Sequence, residues 1–216
     1  MLDPGRCRRL LVYGGSFDPP HRAHLELPRA VMDRIDADGL LLVPAARPPH
    51  KPDRRLSGAG HRRAMLELAL GNRRDCALST FELDRSEPSY TVHTLQHLRQ
   101  TLGSQVDLRL LIGADMAAIF YQWKDPHQIL ELAEPVVMMR PPWDEQQLLD
   151  RLRPHVQGEQ LQRWRSRIVP VEQMDISSTR LRQVLGAGGY DNPLAVWALE
   201  PIVLAYIREH GLYRQV

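Results

Sequence analysis

Cysteine is nearly absent from this chain: Cys7 and Cys76 are the only two in 216 residues. That excludes a disulfide framework and a thiolate-rich metal site, and it suits a reducing compartment. Lysine is almost as scarce, since only Lys51 and Lys124 stand among 28 basic residues. The rest is arginine, which fits phosphate chemistry and codon bias alike; composition does not separate them. Neither sign of charge dominates, with 28 basic against 26 acidic residues and a formal net charge of +2. There is thus no bulk field to draw nucleic acid or a membrane surface. No apolar run approaches the roughly 20 residues of a spanning helix. The apolar stretch behind the basic start MLDPGRCRR is too short for a signal peptide. A cytoplasmic protein is expected, partnered by neither nucleic acid nor membrane. Its oligomeric state is not legible.

What is present is an alternation of short apolar runs with longer amphipathic segments. The runs are Leu10–Tyr13, Leu40–Val43, Leu78–Leu83, Leu108–Ile112, Val136–Met139 and Ile168–Val171. Several lack strict alternation, as strands buried on both faces of a parallel sheet do. Helical spacing marks His61–Leu70 and Tyr90–Leu102, and a polar helical stretch covers Glu145–Arg167. Ser177–Leu185 and Pro201–His210 look like two more helices. Pro44–Pro52 must be a loop, because prolines so dense exclude helix and ladder pairing. The expected fold is α/β: an open, Rossmann-like parallel sheet flanked by helices. The C-terminal helices, from about residue 173 to 216, are expected to pack on the same domain, so that 1–216 forms one unit.

The first run leads into Gly14-Gly15-Ser16-Phe17-Asp18-Pro19-Pro20-His21-Arg22-Ala23-His24 and then a helical pattern. In an open α/β sheet ligands bind beyond the carboxyl ends of strands, where this segment falls. Adjacent glycines let backbone approach a ligand, and the N–H groups that follow can hold phosphate oxygens. His21 and His24 share a helical face and can touch one phosphate chain. By themselves the glycines also fit an ordinary turn, and the histidines a surface pair. No third ligand follows at zinc spacing. Far along the chain, Ile176-Ser177-Ser178-Thr179-Arg180-Leu181-Arg182 supplies hydroxyls at a helix start. Arg182 lies one turn after Thr179, so guanidinium and hydroxyl can hold one phosphate.

Further candidates have readings of their own. Trp123 offers a flat face for a ring, and Tyr90-Thr91 opens a helix whose N–H groups suit a carboxylate. Asp115, just past a strand end, can accept from ribose hydroxyls. His50 and Lys51, in the proline-stiffened loop, can bring donors or positive charge to phosphate. For Trp123 alone, ordinary core packing is the competing reading. Trp143, Trp164 and Trp197 are read as structural.

The first string resembles the GGxFDPxHxGH signature of the nucleotidyltransferase superfamily, with Ala23 where the signature has its glycine. The second resembles that superfamily's ISxTxIR motif, with Leu181 for isoleucine. Pro48-Pro49-His50-Lys51, Pro88-Ser89-Tyr90-Thr91, Ile112-Gly113-Ala114-Asp115, Phe120-Tyr121-Gln122-Trp123 and the ending Gly211-Leu212-Tyr213 are similar to bacterial nicotinate-nucleotide adenylyltransferase over nearly the full length. The resemblance implies adenylyl transfer from ATP to nicotinate mononucleotide, with His21, His24 and Arg182 catalytic. It implies ATP contacts at Gly14, Gly15, Ser16, Phe17, Asp115, Ser178, Thr179 and Arg182. His50, Lys51, Tyr90, Thr91, Trp123 and Lys124 would hold the acceptor, the backbone of Thr91 and Lys124 taking its carboxylate and Trp123 its ring. Mg²⁺ would arrive on the ATP phosphates, since no carboxylate cage is evident. Asp18 is the nearest carboxylate, and forming the turn is its more natural work. Transfer to another phosphorylated acceptor, or silent nucleotide binding, are the alternatives.

Overall fold

Residues with no outward face make the middle strands. The computed structural model describes residues 2–49 and 56–214. Strands β1 (Arg9–Gly15), β2 (Gly39–Pro44), β3 (Cys76–Leu78), β4 (Asp107–Gly113), β5 (Glu134–Met139) and β6 (Ile168–Pro170) form one parallel sheet in the order β3-β2-β1-β4-β5-β6. All of β2 is buried, and Leu10 and Leu11 of β1 are fully enclosed although their side chains point to opposite faces. Strands covered on both sides need no alternation.

The connections are helical: α1 (Arg22–Ile35), α2 (Ala59–Leu70), α3 (Thr91–Leu102), short α4 (Ala114–Ala117), α5 (Pro126–Leu132), α6 (Glu145–Leu152), α7 (Gly158–Ser166), α8 (Ser178–Gly186), α9 (Pro193–Ala198) and α10 (Pro201–Glu209). On one face Leu11 and Leu42 pack with Val31, Met65, Leu181, Leu185, Val203 and Ile207. The C-terminal helices therefore close the same core as α1 and α2. On the other face Leu10 and Val12 pack with Leu95, Ile129, Leu148 and Trp164, from α3, α5, α6 and α7. No helix among the described residues is long and apolar enough to cross a membrane.

Two expectations shift. The third strand is Cys76–Leu78 rather than Leu78–Leu83, ending where the Ser79 N–H meets the Leu42 carbonyl at 2.9 Å. Thr80 then donates its hydroxyl to Asp84 (2.7 Å), a local bond that competes with the ladder and curls the chain into a turn. The polar stretch Glu145–Arg167 is two helices parted around Pro154, whose ring cannot continue a helix. The loop after Pro44 is as expected through Pro49.

The strand order reverses between β1 and β4, so the connections leaving their carboxyl ends diverge. A crevice opens at such a switch point.

Candidate active site

The two glycines at the end of β1 differ in purpose. A Cβ on Gly15 would stand 2.9 Å from the Phe17 ring, whereas one on Gly14 would meet nothing nearer than the Val43 carbonyl at 4.0 Å. Gly15 thus makes room for a ring, whereas Gly14 has no side chain pressed against it; both also border the cavities described below. Phe17, at φ 47°, is buried and packs edge-on to Tyr13 and His24 at 5.5 and 5.0 Å.

That ring sets the histidines. His21 caps α1, and its N–H donates to His24 Nδ1 at 3.2 Å. An Nδ1 that accepts leaves the His24 proton on Nε2, where it can be donated. The imidazoles stack at 3.6 Å. Burial first, then the positive charge of Arg140, pushes the His21 pKa down to about 3; burial, His21 and Arg140 hold His24 well below the usual range. Both rings are therefore neutral donors and acceptors at pH 7, not cations. His21 Nδ1 is buried with no hydrogen-bond partner among the described residues.

The second motif is stitched to the first. Ser177 caps α8 by accepting from the Arg180 N–H (3.2 Å), and Ser178 donates to the Pro19 carbonyl (3.1 Å). Arg182 donates to the Asp18 carbonyl (2.6 Å) and to Thr179 Oγ1 (3.2 Å). The expected pairing of Arg182 with Thr179 is present, with the guanidinium also anchored on the signature turn. The Asp18 carboxylate, 1% exposed, accepts from the Tyr213 hydroxyl (2.7 Å) and the Ser57 N–H (3.1 Å).

Two cavities meet here. The first, about 270 Å³, is lined by Ser16, Phe17, His21, Ala23, His24, Ser178 and Thr179 among others. The second, about 280 Å³, is lined by Gly14, Glu82, Tyr90, Thr91, Asp115 and Trp123 among others. Tyr13, Gly15, Ser16, Met138 and Arg140 belong to both. Asp115, expected with ATP, thus stands in the cavity of Trp123. Arg182 and Lys124 belong to neither lining. Lys124 Nζ lies 3.4 Å from His93 Nε2 and 4.8 Å above the Tyr90 ring. His50 and Lys51 fall outside the described residues.

At the wall of the second cavity, which Tyr90 and Thr91 help to line, α3 begins without a side-chain cap. The Tyr90 carbonyl takes the N–H groups of His93 (3.0 Å) and Thr94 (3.4 Å). That leaves the Thr91 and Val92 amides with no intrahelical acceptor.

Two residues escaped the sequence reading. Arg140 follows β5 directly and joins both linings; an arginine at a strand's carboxyl end was the available signal. Arg62, 2% exposed, donates to the carbonyls of Ser57 (3.0 Å), Ser16 (3.1 Å) and Ala45 (2.6 Å), clamping the signature turn to the loop after β2. It sits one turn before Met65 and Leu66, so helical spacing alone placed it on the buried face.

Comparison with known proteins gives concordant results. Residues 12–184 match the cytidylyltransferase-like family. A protein of Chromobacterium violaceum named probable nicotinate-nucleotide adenylyltransferase is 37% identical, over 95% of this chain and 99% of its own. One of the same name from Thermomicrobium roseum is 34% identical over 96% and 92%. The solved Plasmodium falciparum nicotinic acid mononucleotide adenylyltransferase, complexed with APC or with NaAD, superimposes with TM-scores of 0.70 and 0.69. Its identity to this chain is 16% and 17%, over 95% of this chain and 97% of that one. At that identity the likeness speaks for the fold.

Proposed function

The chain belongs to the nicotinate-nucleotide adenylyltransferases, and from that membership we propose that it transfers the adenylyl group of ATP to nicotinate mononucleotide. The products would be pyrophosphate and nicotinate adenine dinucleotide, a precursor in NAD synthesis. The observation that carries this reading is the pair of adjoining cavities at the β1/β4 switch point. One has phosphate-type donors, and the other a ring face and an uncapped helix start. We read residues 1–216 as one unit, supported by α8 and α10 sharing the core of α1 and α2, and propose that it works in the cytoplasm.

The acceptor's 5′-phosphate has its second pKa at about 6, so the nucleophile is already ionised at neutral pH and needs no base. Its oxygen attacks the α-phosphorus in line, and the bond to the β-phosphate oxygen breaks. The protein's work is positioning, and stabilising charge that grows on the leaving group. His24 Nε2–H and His21 are suited to donate there, and Ser178 and Thr179 border the same space. Arg140, on the wall common to both cavities, is suited to the phosphates that meet there. Asp115 is suited to a ribose hydroxyl, Trp123 to the pyridine ring. The Thr91 amide and the backbone at Lys124 are suited to the nicotinate carboxylate.

Nucleotidyltransferases of this kind use a divalent metal with the nucleotide phosphates, and we propose Mg²⁺. The residues fit an ion that arrives on ATP: Asp18 is engaged by Tyr213 and Ser57, so phosphate oxygens and water would be its ligands. Bound there, it would offset negative charge on the triphosphate.

Pyrophosphate release from ATP, Mg²⁺ and a panel of phosphorylated acceptors tests the proposal. Nicotinate mononucleotide should exceed nicotinamide mononucleotide by about a hundredfold in kcat/KM, because an amide turns a donor toward N–H groups that need an acceptor. Equal values, or preference for phosphopantetheine, would refute it.

A further inference from the structure

Among the described residues, five polar or charged side chains are buried: Asp18, His21, Arg62, Glu82 and Thr94. The first three belong to the signature turn and its clamp. Glu82 and Thr94 are a separate pair with no part in the chemistry above. A buried carboxylate is costly unless several donors converge on it.

Glu82 lies in the turn after β3, and its side chain reaches back toward the acceptor cavity, which it helps to line. The Thr94 hydroxyl donates to Glu82 Oε1 at 2.5 Å. Burial raises the Glu82 pKa, while hydrogen bonds from the hydroxyls of Thr94 and Ser89 hold it down. Ser89 Oγ in turn accepts from the Ala46 N–H (2.9 Å) and the Arg47 N–H (3.2 Å), and the Ser89 N–H donates to the Arg47 carbonyl (3.0 Å). With both lone pairs of Ser89 engaged by amides, its one proton is what it can offer to Glu82, which lines the same cavity. Ser89 stands one residue ahead of Tyr90, the N-cap of α3; its oxygen is committed to the loop after β2, and α3 starts uncapped.

We propose that Glu82 is a positioning residue for acceptor recognition: by taking the protons of Ser89 and Thr94 it ties the loop after β2 to the start of α3. It thereby keeps the Thr91 amide, at the wall of that cavity, open toward the substrate carboxylate. The inference rests on the reading of this cavity as the nicotinate mononucleotide site. Glu82→Gln keeps the size of the side chain but exchanges one acceptor oxygen for an NH₂ donor, which must face a hydroxyl whose proton already points at it. If Ser89 then turns, its oxygen can cap α3 and compete with the substrate.

The full-length protein is assayed with both mononucleotides at saturating ATP and Mg²⁺, wild type first. Failure of the wild type to use nicotinate mononucleotide would overturn the functional reading and this inference together. With wild-type activity in hand, Glu82→Gln should raise KM for nicotinate mononucleotide by about tenfold or more, the loss of one well-placed hydrogen bond. KM for ATP should stay within about twofold, and the preference for acid over amide should fall by about the same tenfold. An unchanged acceptor KM, or an equal rise in both KM values, would overturn the inference while leaving the functional reading standing. Ser89→Ala provides the second arm, and also carries the test with Thr94→Val if Glu82→Gln does not fold. Each should move the acceptor KM selectively. Combined with Glu82→Gln, Ser89→Ala should add less than its separate effect, because both act through one chain of bonds. Full additivity would refute the route through Ser89.

Discussion

His21 shows how one side chain ties stability to chemistry. It is buried against the His24 ring, so protonation is resisted in the folded chain down to about pH 3. In the unfolded chain an ordinary histidine takes its proton near 6.5. Between those values the unfolded state binds more protons, so stability rises with pH across the window. It is whole above about pH 6.5 and is lost as pH falls toward 3. By pH 5 the loss from this group alone amounts to as much as about 2 kcal/mol. In His21→Asn the fall in urea-denaturation stability between pH 7 and 5 should shrink accordingly. Turnover should drop by about 10²–10³, the usual effect of removing one transition-state donor. Wild-type turnover in the variant would remove His21 from the catalytic set. An undiminished pH slope would assign the linked proton to another group.

At the scale of elements, α8 is held to the signature turn by Ser178 on the Pro19 carbonyl and Arg182 on the Asp18 carbonyl. The guanidinium reaches Asp18 and Thr179 together, which an ammonium point charge does not reproduce. Arg182→Lys should therefore raise KM for ATP by about tenfold and leave the acceptor KM nearly unchanged, read from initial rates with each substrate varied. An unchanged ATP KM would show that α8 can be held without that fork. The elements were legible where burial dictated them: Leu10–Tyr13 and Leu40–Val43 read as strands because a twice-covered strand has no polar side. The third strand was misplaced because Phe81 and Leu83 extend the apolar pattern past the point where Ser79 and Thr80 turn the chain by local bonds. Both motifs pointed to the candidate site, since their residue types match phosphate chemistry at fixed spacing. Arg140 and Arg62 did not, because an isolated arginine carries no pattern until the fold shows what it faces. Nor could spacing reveal that Gly15 serves Phe17, or that Ser89 is turned away from the helix it precedes.

Over the whole molecule, the last described turn returns to the first strand's loop. The Tyr213 hydroxyl meets Asp18 at 2.7 Å, and burial followed by the Asp18 charge raises its pKa far above the usual phenol range. Tyr213→Phe removes one donor from an enclosed carboxylate and should cost about 1–3 kcal/mol by chemical denaturation. Because the same Asp18 carries Arg182 on its carbonyl, ATP KM should rise along with the loss of stability. Unaltered stability would mean that Ser57 satisfies Asp18 alone.

Tyr13, Gly15, Ser16, Met138 and Arg140 line both cavities, so the places proposed for donor and acceptor adjoin. A molecule in which the two halves have been joined occupies both places at once. Once either half is seated, the other is presented at an effective concentration on the order of millimolar or more. On that proposal the tethered product should be held more tightly than either mononucleotide, departing only when both ends let go together. Release should then lag behind bond formation. Rapid mixing of enzyme with both substrates should show a burst of pyrophosphate near one equivalent before a slower steady rate. A trace linear from the first turnover would mean that the joined product leaves as readily as its parts.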